Sequence, residues 1–184
     1  ELDGTRLASK LNYKGWPTWN YNFASAYSGA GEGGITTQSI RNQIKNASEK
    51  YPAVCGVKAE SKLEGTTAKV TATVMFQEAG NYKIACVLTE NGIAQQDKEK
   101  LPIFNHVFRA AQTNMMGNLI DPAVTAAGER KFNFEVTLNG SWNSQNCEFV
   151  IYVLKEESTG TFIVNNGVTC PVGDKVDYRY QDAE

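Results

Sequence analysis

From residue 52 onward, apolar residues recur at every second position in run after run, and that period admits strands while excluding amphipathic helices. Val70, Ala72, Val74 and Phe76 alternate with Lys69, Thr71, Thr73 and Met75. Tyr82, Ile84, Cys86 and Leu88 alternate with Lys83, Ala85, Val87 and Thr89, and Glu78-Ala79-Gly80-Asn81 between the two runs predicts a hairpin. Phe132, Phe134, Val136 and Leu138 make a further run. Cys147, Phe149, Ile151 and Val153 follow, with Val150, Tyr152 and Leu154 on the opposite face, the mark of a covered or central strand. Ser158-Thr159-Gly160 turns the chain into Phe162, Val164, Val168 and Cys170. With Ala53, Cys55, Val57 and Ala59, and a strand around Phe104 to Ala111, about seven strands result. The reading is a mainly β fold, an immunoglobulin-like β-sandwich over residues 52–184.

Residues 1–51 differ. Ile40, Ile44, Ala47 and Tyr51 lie on one face of a helix, Thr36 or Thr37 can cap its start, and Pro52 stops it. This is the one helix predicted, and it lies N-terminal to the strands. Before it, Tyr21 and Phe23 alternate with Asn20 and Asn22 after Pro17, which suits a short strand. The glycine-rich run from Ser28 to Gly34 reads as a loop.

Several functions are excluded on charge and hydropathy. Charged residues are 21% of the chain, the net charge is −2, and no basic run stands out, so nucleic acid is not an expected partner. No stretch approaches the roughly 18 apolar residues of a membrane-spanning helix. The start lacks the pattern of a signal peptide, so either a leader has been removed or the chain is a piece of a longer protein.

The four cysteines, Cys55, Cys86, Cys147 and Cys170, contain no C-x-x-C spacing, which rules out a locally assembled zinc ribbon or thioredoxin-type pair. Each falls in phase with the apolar face of its strand. They read either as small buried side chains or as structural disulfides, in which case Cys86 pairs with Cys147 and Cys55 with Cys170.

His106 is the single histidine. Without a G-x-S-x-G turn or a second histidine it forms neither a recognisable triad nor a His-based metal site. Sharing a strand face with Phe104 and Phe108, it reads as a packed or hydrogen-bonded structural residue. Asp174 and Asp177 do not match a calcium loop and read as a solvated tail. Gly29, Gly31, Gly33 and Gly34 lack the Lys-Ser or Lys-Thr of a phosphate loop. Asn46-Ala47-Ser48 and Asn139-Gly140-Ser141 fit the glycosylation sequon only by chance. No catalytic residue, metal site or cofactor is expected. Trp16, Trp19, Tyr21 and Trp142 are the candidates for ligand contact, because these side chains pair large rigid area with a polar handle. Packing of the N-terminal segment is the competing reading for Trp16 and Trp19.

The Ala53-to-Glu60 strand after a helix, Gly80-Asn81-Tyr82-Lys83-Ile84-Ala85, Asn105-His106-Val107-Phe108-Arg109, Gly117, Asn146-Cys147 and Val164-Asn165-Asn166 together resemble the outer-membrane lipoprotein family of about 28 kilodaltons from Gram-negative anaerobes of gut and mouth. The resemblance covers roughly residues 36 to 180. It implies an outer-membrane or cell-surface address and a lipid anchor outside this chain. It also implies a thioredoxin-like domain ahead of the β-domain. Gly15-Trp16-Pro17-Thr18 and the strand after it are similar to the cis-proline loop of such a fold, with the glycine-rich loop standing where another strand is expected. Pro17, His106 and Arg109 are accordingly structural candidates.

The expectation is therefore a non-catalytic surface binding or adhesion-type module with an unknown protein or glycan ligand. The alternatives are the C-terminal part of a thiol–disulfide oxidoreductase whose active cysteines lie upstream, and a carbohydrate-binding module.

Overall fold

The computed structural model describes residues 18–28, 36–94 and 103–179. Two antiparallel sheets pack face to face. The first has the order β10-β4-β3-β13, from Gly128–Thr137, Thr67–Phe76, Cys55–Glu64 and Lys175–Val176. The second has the order β12-β11-β5-β8, from Thr161–Pro171, Cys147–Ser158, Tyr82–Glu90 and Val107–Ala111, with β9 (Asn118–Leu119) also pairing β5. The seven strands of five residues or more are those expected from the sequence periods. Two short hairpins flank the sandwich: β1 with β2 (Thr18–Tyr21, Ser25–Ser28) and β6 with β7 (Ile93–Ala94, Ile103–Phe104). Among the described residues, no helix is long and apolar enough to cross a membrane.

The core follows the alternation. Val70, Ala72, Val74 and Phe76 from β4 face Ile84, Cys86 and Leu88 from β5, and Phe149, Ile151 and Val153 from β11, all buried. Strand β5 is buried on both faces. On its outer face Ala85 and Val87 are covered, and Tyr152 beside them donates its hydroxyl to the Met115 carbonyl in the loop between β8 and β9. Gly117 in that loop has φ 75, and a Cβ there would lie 2.8 Å from both Leu154 Cδ1 and Lys83 Cβ, so only glycine lets the loop lie this close.

Three expectations require correction. First, β4 and β5 form no hairpin: they belong to different sheets, and Gly80 bridges to Val124 instead. A short polar connection serves a hairpin and a sheet-to-sheet corner equally well. A strand buried on both faces takes the central place between β11 and β8, so β5 is drawn to the other sheet. The Phe76 and Tyr82 rings then meet between the layers, with centroids 4.7 Å apart. Second, Phe162 and Val164 do not share a face with Val168 and Cys170. The register runs from Leu154↔Val164 to Val153↔Asn166, so Asn165 is an extra residue, a bulge that reverses the phase. Ile163 turns inward in their place and is 2% exposed. Third, the strand expected around Phe104 to Ala111 is broken at Asn105-His106, where His106 adopts φ 56.

The helix α1 spans Thr37–Lys50, with Thr36 as N-cap in a reciprocal capping box with Ser39. Of its apolar face Ala47 is buried, while Ile44 stays 38% exposed. The β1–β2 turn rests on the second sheet. The Asn22 carbonyl accepts from Val164 N–H at 2.7 Å, and Phe23 meets Tyr152 edge to face at 6.0 Å.

Candidate functional site

One rim of the sandwich collects the end of β5 and the starts of β8 and β11, together with the loops beside them. Glu90 closes β5 and is 2% exposed. Its carboxylate accepts from Arg109 Nε at 2.7 Å and from the backbone N–H of Asn143 at 2.7 Å. A buried carboxylate is tolerated only when paired and hydrogen-bonded in this way. The Arg109 guanidinium carbon also lies 5.7 Å from the centroid of the half-buried Trp142 ring, within cation–π range. One arginine thus ties a buried acid to an aromatic ring.

His106 stands beside this group. Its left-handed backbone is held by its own N–H, which donates to Asn91 Oδ1 at 2.7 Å. Gly92 N–H donates to Asn105 Oδ1 at 3.0 Å, and Asn91 N–H to the Asn146 carbonyl at 3.0 Å. His106 Nδ1 lies 2.9 Å from Glu148 Oε1. A carboxylate only accepts, so Nδ1 carries the proton and the exposed ring presents Nε2 outward. Thr89 donates to the same carboxylate oxygen at 3.3 Å. The arrangement orients an imidazole. Among the described residues its hydrogen-bond partner is Glu148, not a nucleophile.

The loop amides share one kind of bond. Asn91, Asn105, Asn139 and Asn143 each spend Oδ1 on a backbone N–H, of His106, Gly92, Ser141 and Gln145 respectively. Only the amide oxygen can meet an N–H, so the assignment of each amide follows, and each NH₂ is left as a donor directed away from those bonds.

The four thiols lie elsewhere in character. All are free and buried, and neither anticipated disulfide forms. Cys86 stands opposite Ile151, and Cys147 opposite Glu90, so the two sit four residues apart along paired strands, about 13 Å. Cys170 approaches the Ala59 carbonyl, whereas Cys55, four residues earlier on β3, meets Asn165 at 3.2 Å. A disulfide needs Cα atoms within about 7 Å. Burial pushes the thiols of Cys55 and Cys86 up to about 12 and raises those of Cys147 and Cys170, so the thiolate, the reactive form, is suppressed.

The structure brings Arg109 and Trp142 into contact at Glu90, while His106 meets Glu148, whose partner Thr89 points to the opposite face of β5 from Glu90. Tyr21 is half-buried at the end of β1, Trp19 lies within β1, and Trp16 and Pro17 fall outside the described residues. The β1–β2 turn meets Val164, which is aligned through Leu154 with Lys83, seven residues from Glu90, roughly 23 Å along β5. Trp142 and that turn therefore occupy different ends of the strand. Asp174 and Asp177 accept from the neighbouring N–H groups of Lys175 and Tyr178, and among the described residues no group of three or more His, Cys, Asp or Glu is set to hold a metal ion. Glu90, Glu148 and the asparagines escape sequence reading. The one signal for Glu90 is a carboxylate ending a run that is apolar on both faces.

Fold and rim together define an antiparallel β-sandwich whose loops and strand ends assemble a polar, aromatic-backed surface at one end. The family model for outer membrane protein Omp28 matches residues 32–170, and the chain belongs to that family of outer membrane proteins. Its address is the outer membrane. A crystal structure of a domain of the outer membrane lipoprotein Omp28 from Porphyromonas gingivalis is similar at 19% identity and a TM-score of 0.47, covering 66% of this chain and 90% of that one. No curated protein matches.

Proposed function

We propose that the chain is a non-catalytic binding module of the outer membrane and that the rim around Trp142, His106 and Arg109 is its recognition surface. The observation that carries this reading is the set of loop asparagines whose amide oxygens are spent on backbone N–H groups. All four keep their NH₂ donors, near a half-buried tryptophan that packs against the core and is braced by arginine. Such a surface donates hydrogen bonds and offers an apolar ring, while its charges are largely neutralised within the Glu90–Arg109 and Glu148–His106 pairs. An oxygen-rich ligand of low charge, a glycan, suits that chemistry best.

A glycan array probed with the labelled 184-residue chain tests the proposal. The expected result is a discrete set of bound glycans, lost in Trp142→Ala and in His106→Asn, which keeps a residue tolerant of the left-handed backbone. Unchanged binding in both variants contradicts it.

A second reading draws on the N-terminal elements. Strand β2 at Ser25–Ser28 lies between β1 and α1, so a strand pair and then a helix precede the sandwich. That succession supports the reading of a thioredoxin-like tail, and the glycine-rich run after Ser28 lies outside the described residues. A longer native chain carrying C-x-x-C ahead of this segment would support a disulfide-exchange role there.

A further inference from the structure

Strand β10 is an edge. It pairs with β4 without interruption from Gly128↔Phe76 to Thr137↔Thr67, and among the described residues no strand pairs with its other side. Exposed edges are ordinarily short, bulged, broken by proline or guarded by charge, because a row of open N–H and C=O groups is a template for another strand, and here the guarding charges are of both signs. This edge is ten residues long, regular and free of proline. The Leu138 N–H donates to the Thr66 carbonyl at 2.8 Å, which fixes the parity of the ladder. Even-numbered residues direct their backbone groups to β4, so Glu129, Lys131, Asn133, Glu135 and Thr137 direct theirs to the open side. The side chains of these five are exposed, while Phe132 and Phe134 are half-buried beside the opening.

We propose that β10 pairs antiparallel with β10 of a second copy of this chain, the two-fold axis passing through Asn133, so that two four-stranded sheets become one of eight. The register is chosen by charge. With the axis at Asn133, Lys131 faces Glu135 of the partner subunit, twice by symmetry, and neither residue makes a salt bridge within the chain among the described residues. Moving the axis to Lys131 sets lysine against lysine, and moving it to Glu135 sets glutamate against glutamate. In the favoured register every outward-directed residue meets another outward-directed one, Glu129 facing Thr137, so all open backbone groups of that stretch are satisfied. Phe132 and Phe134 fall opposite one another in the closer, non-hydrogen-bonded pairs, where aromatic cross-strand contact is strongest. An isologous contact of this kind closes on itself and forms a dimer, not a fibre.

Sedimentation equilibrium of the 184-residue chain tests this. The wild type is expected at twice the chain mass. Lys131→Glu and Glu135→Lys each place like charges opposite one another twice and raise the dimer Kd at least about tenfold. The charge-exchanged double variant, K131E with E135K, restores the wild-type Kd. Both residues are exposed, and far-UV circular dichroism confirms that each variant is folded. A wild type that stays monomeric at the highest soluble concentration overturns the proposal. So does a dimer indifferent to the single reversals, or one that the double exchange does not restore.

Discussion

The side chain of Asn165 crosses from one sheet to the other, its Oδ1 accepting from the backbone N–H of Val54 at 2.9 Å. The same amide donates to the Pro52 carbonyl at 3.0 Å, and its oxygen also receives the Cys55 thiol at 3.2 Å. The bulge in β12 aims this residue at the chain entering β3. Next to it, Asn166 donates to the Cys55 carbonyl at 2.7 Å. Two consecutive asparagines thus close one flank of the sandwich where apolar packing alone would leave strand groups unpaired.

Replacing Asn165 by alanine removes these bonds and leaves the Val54 N–H without a partner. Asn165→Ala is expected to lower stability by about 2 kcal/mol. Urea unfolding measures this as a lower midpoint at unchanged slope.

The Arg109–Glu90 pair predicts an asymmetry. Arg109→Ala leaves the Glu90 carboxylate buried and unpaired and is expected to cost about 3 kcal/mol or more. A double variant, Glu90→Gln with Arg109→Met, removes the charge along with its partner and is expected to cost less than Arg109→Ala alone. Unfolding curves of the two proteins give the comparison directly.

The strands were legible from sequence because their cores obey a period of two: Val70 to Phe76 and Phe149 to Val153 are buried in the phase read from the chain. Partnership between strands was not. Turn residues at Gln77 to Asn81 serve a corner as well as a hairpin, and only the three-dimensional demand to cover both faces of β5 decides. The Asn165 bulge was illegible for a related reason, since Val164-Asn165-Asn166 contains nothing that marks an unpaired residue. At the candidate site His106 and Trp142 stood out as the single histidine and one of three tryptophans, and Arg109 through the family resemblance. Glu90 and the loop asparagines did not, because their roles rest on which backbone N–H each oxygen meets.

The thiols are expected to be silent in the native state. Burial suppresses thiolate formation at all four, so iodoacetamide at neutral pH leaves the folded chain unmodified and adds four carbamidomethyl groups after unfolding in denaturant. Mass spectrometry counts them.

Glu156 supplies a pH dependence. The Gly160 backbone N–H and then the Asn81 amide donate to its carboxylate and hold its pKa below the usual value of 4.5. A carboxyl depressed on folding stabilises the native state above its unfolded pKa, and that contribution fades as pH falls from there through the folded value. The gap in urea midpoint between wild type and Glu156→Gln is therefore full at neutral pH and closes below about 4.5.

The most direct measurement is an amide and side-chain NH₂ chemical-shift map of the chain as it is titrated with the glycan bound best on the array. The account predicts saturable shifts at Asn91, Asn105, Asn143 and the Trp142 indole. Shifts confined to the β1–β2 hairpin or the outer face of the β10-β4-β3-β13 sheet, or an array with no glycan bound, would contradict it.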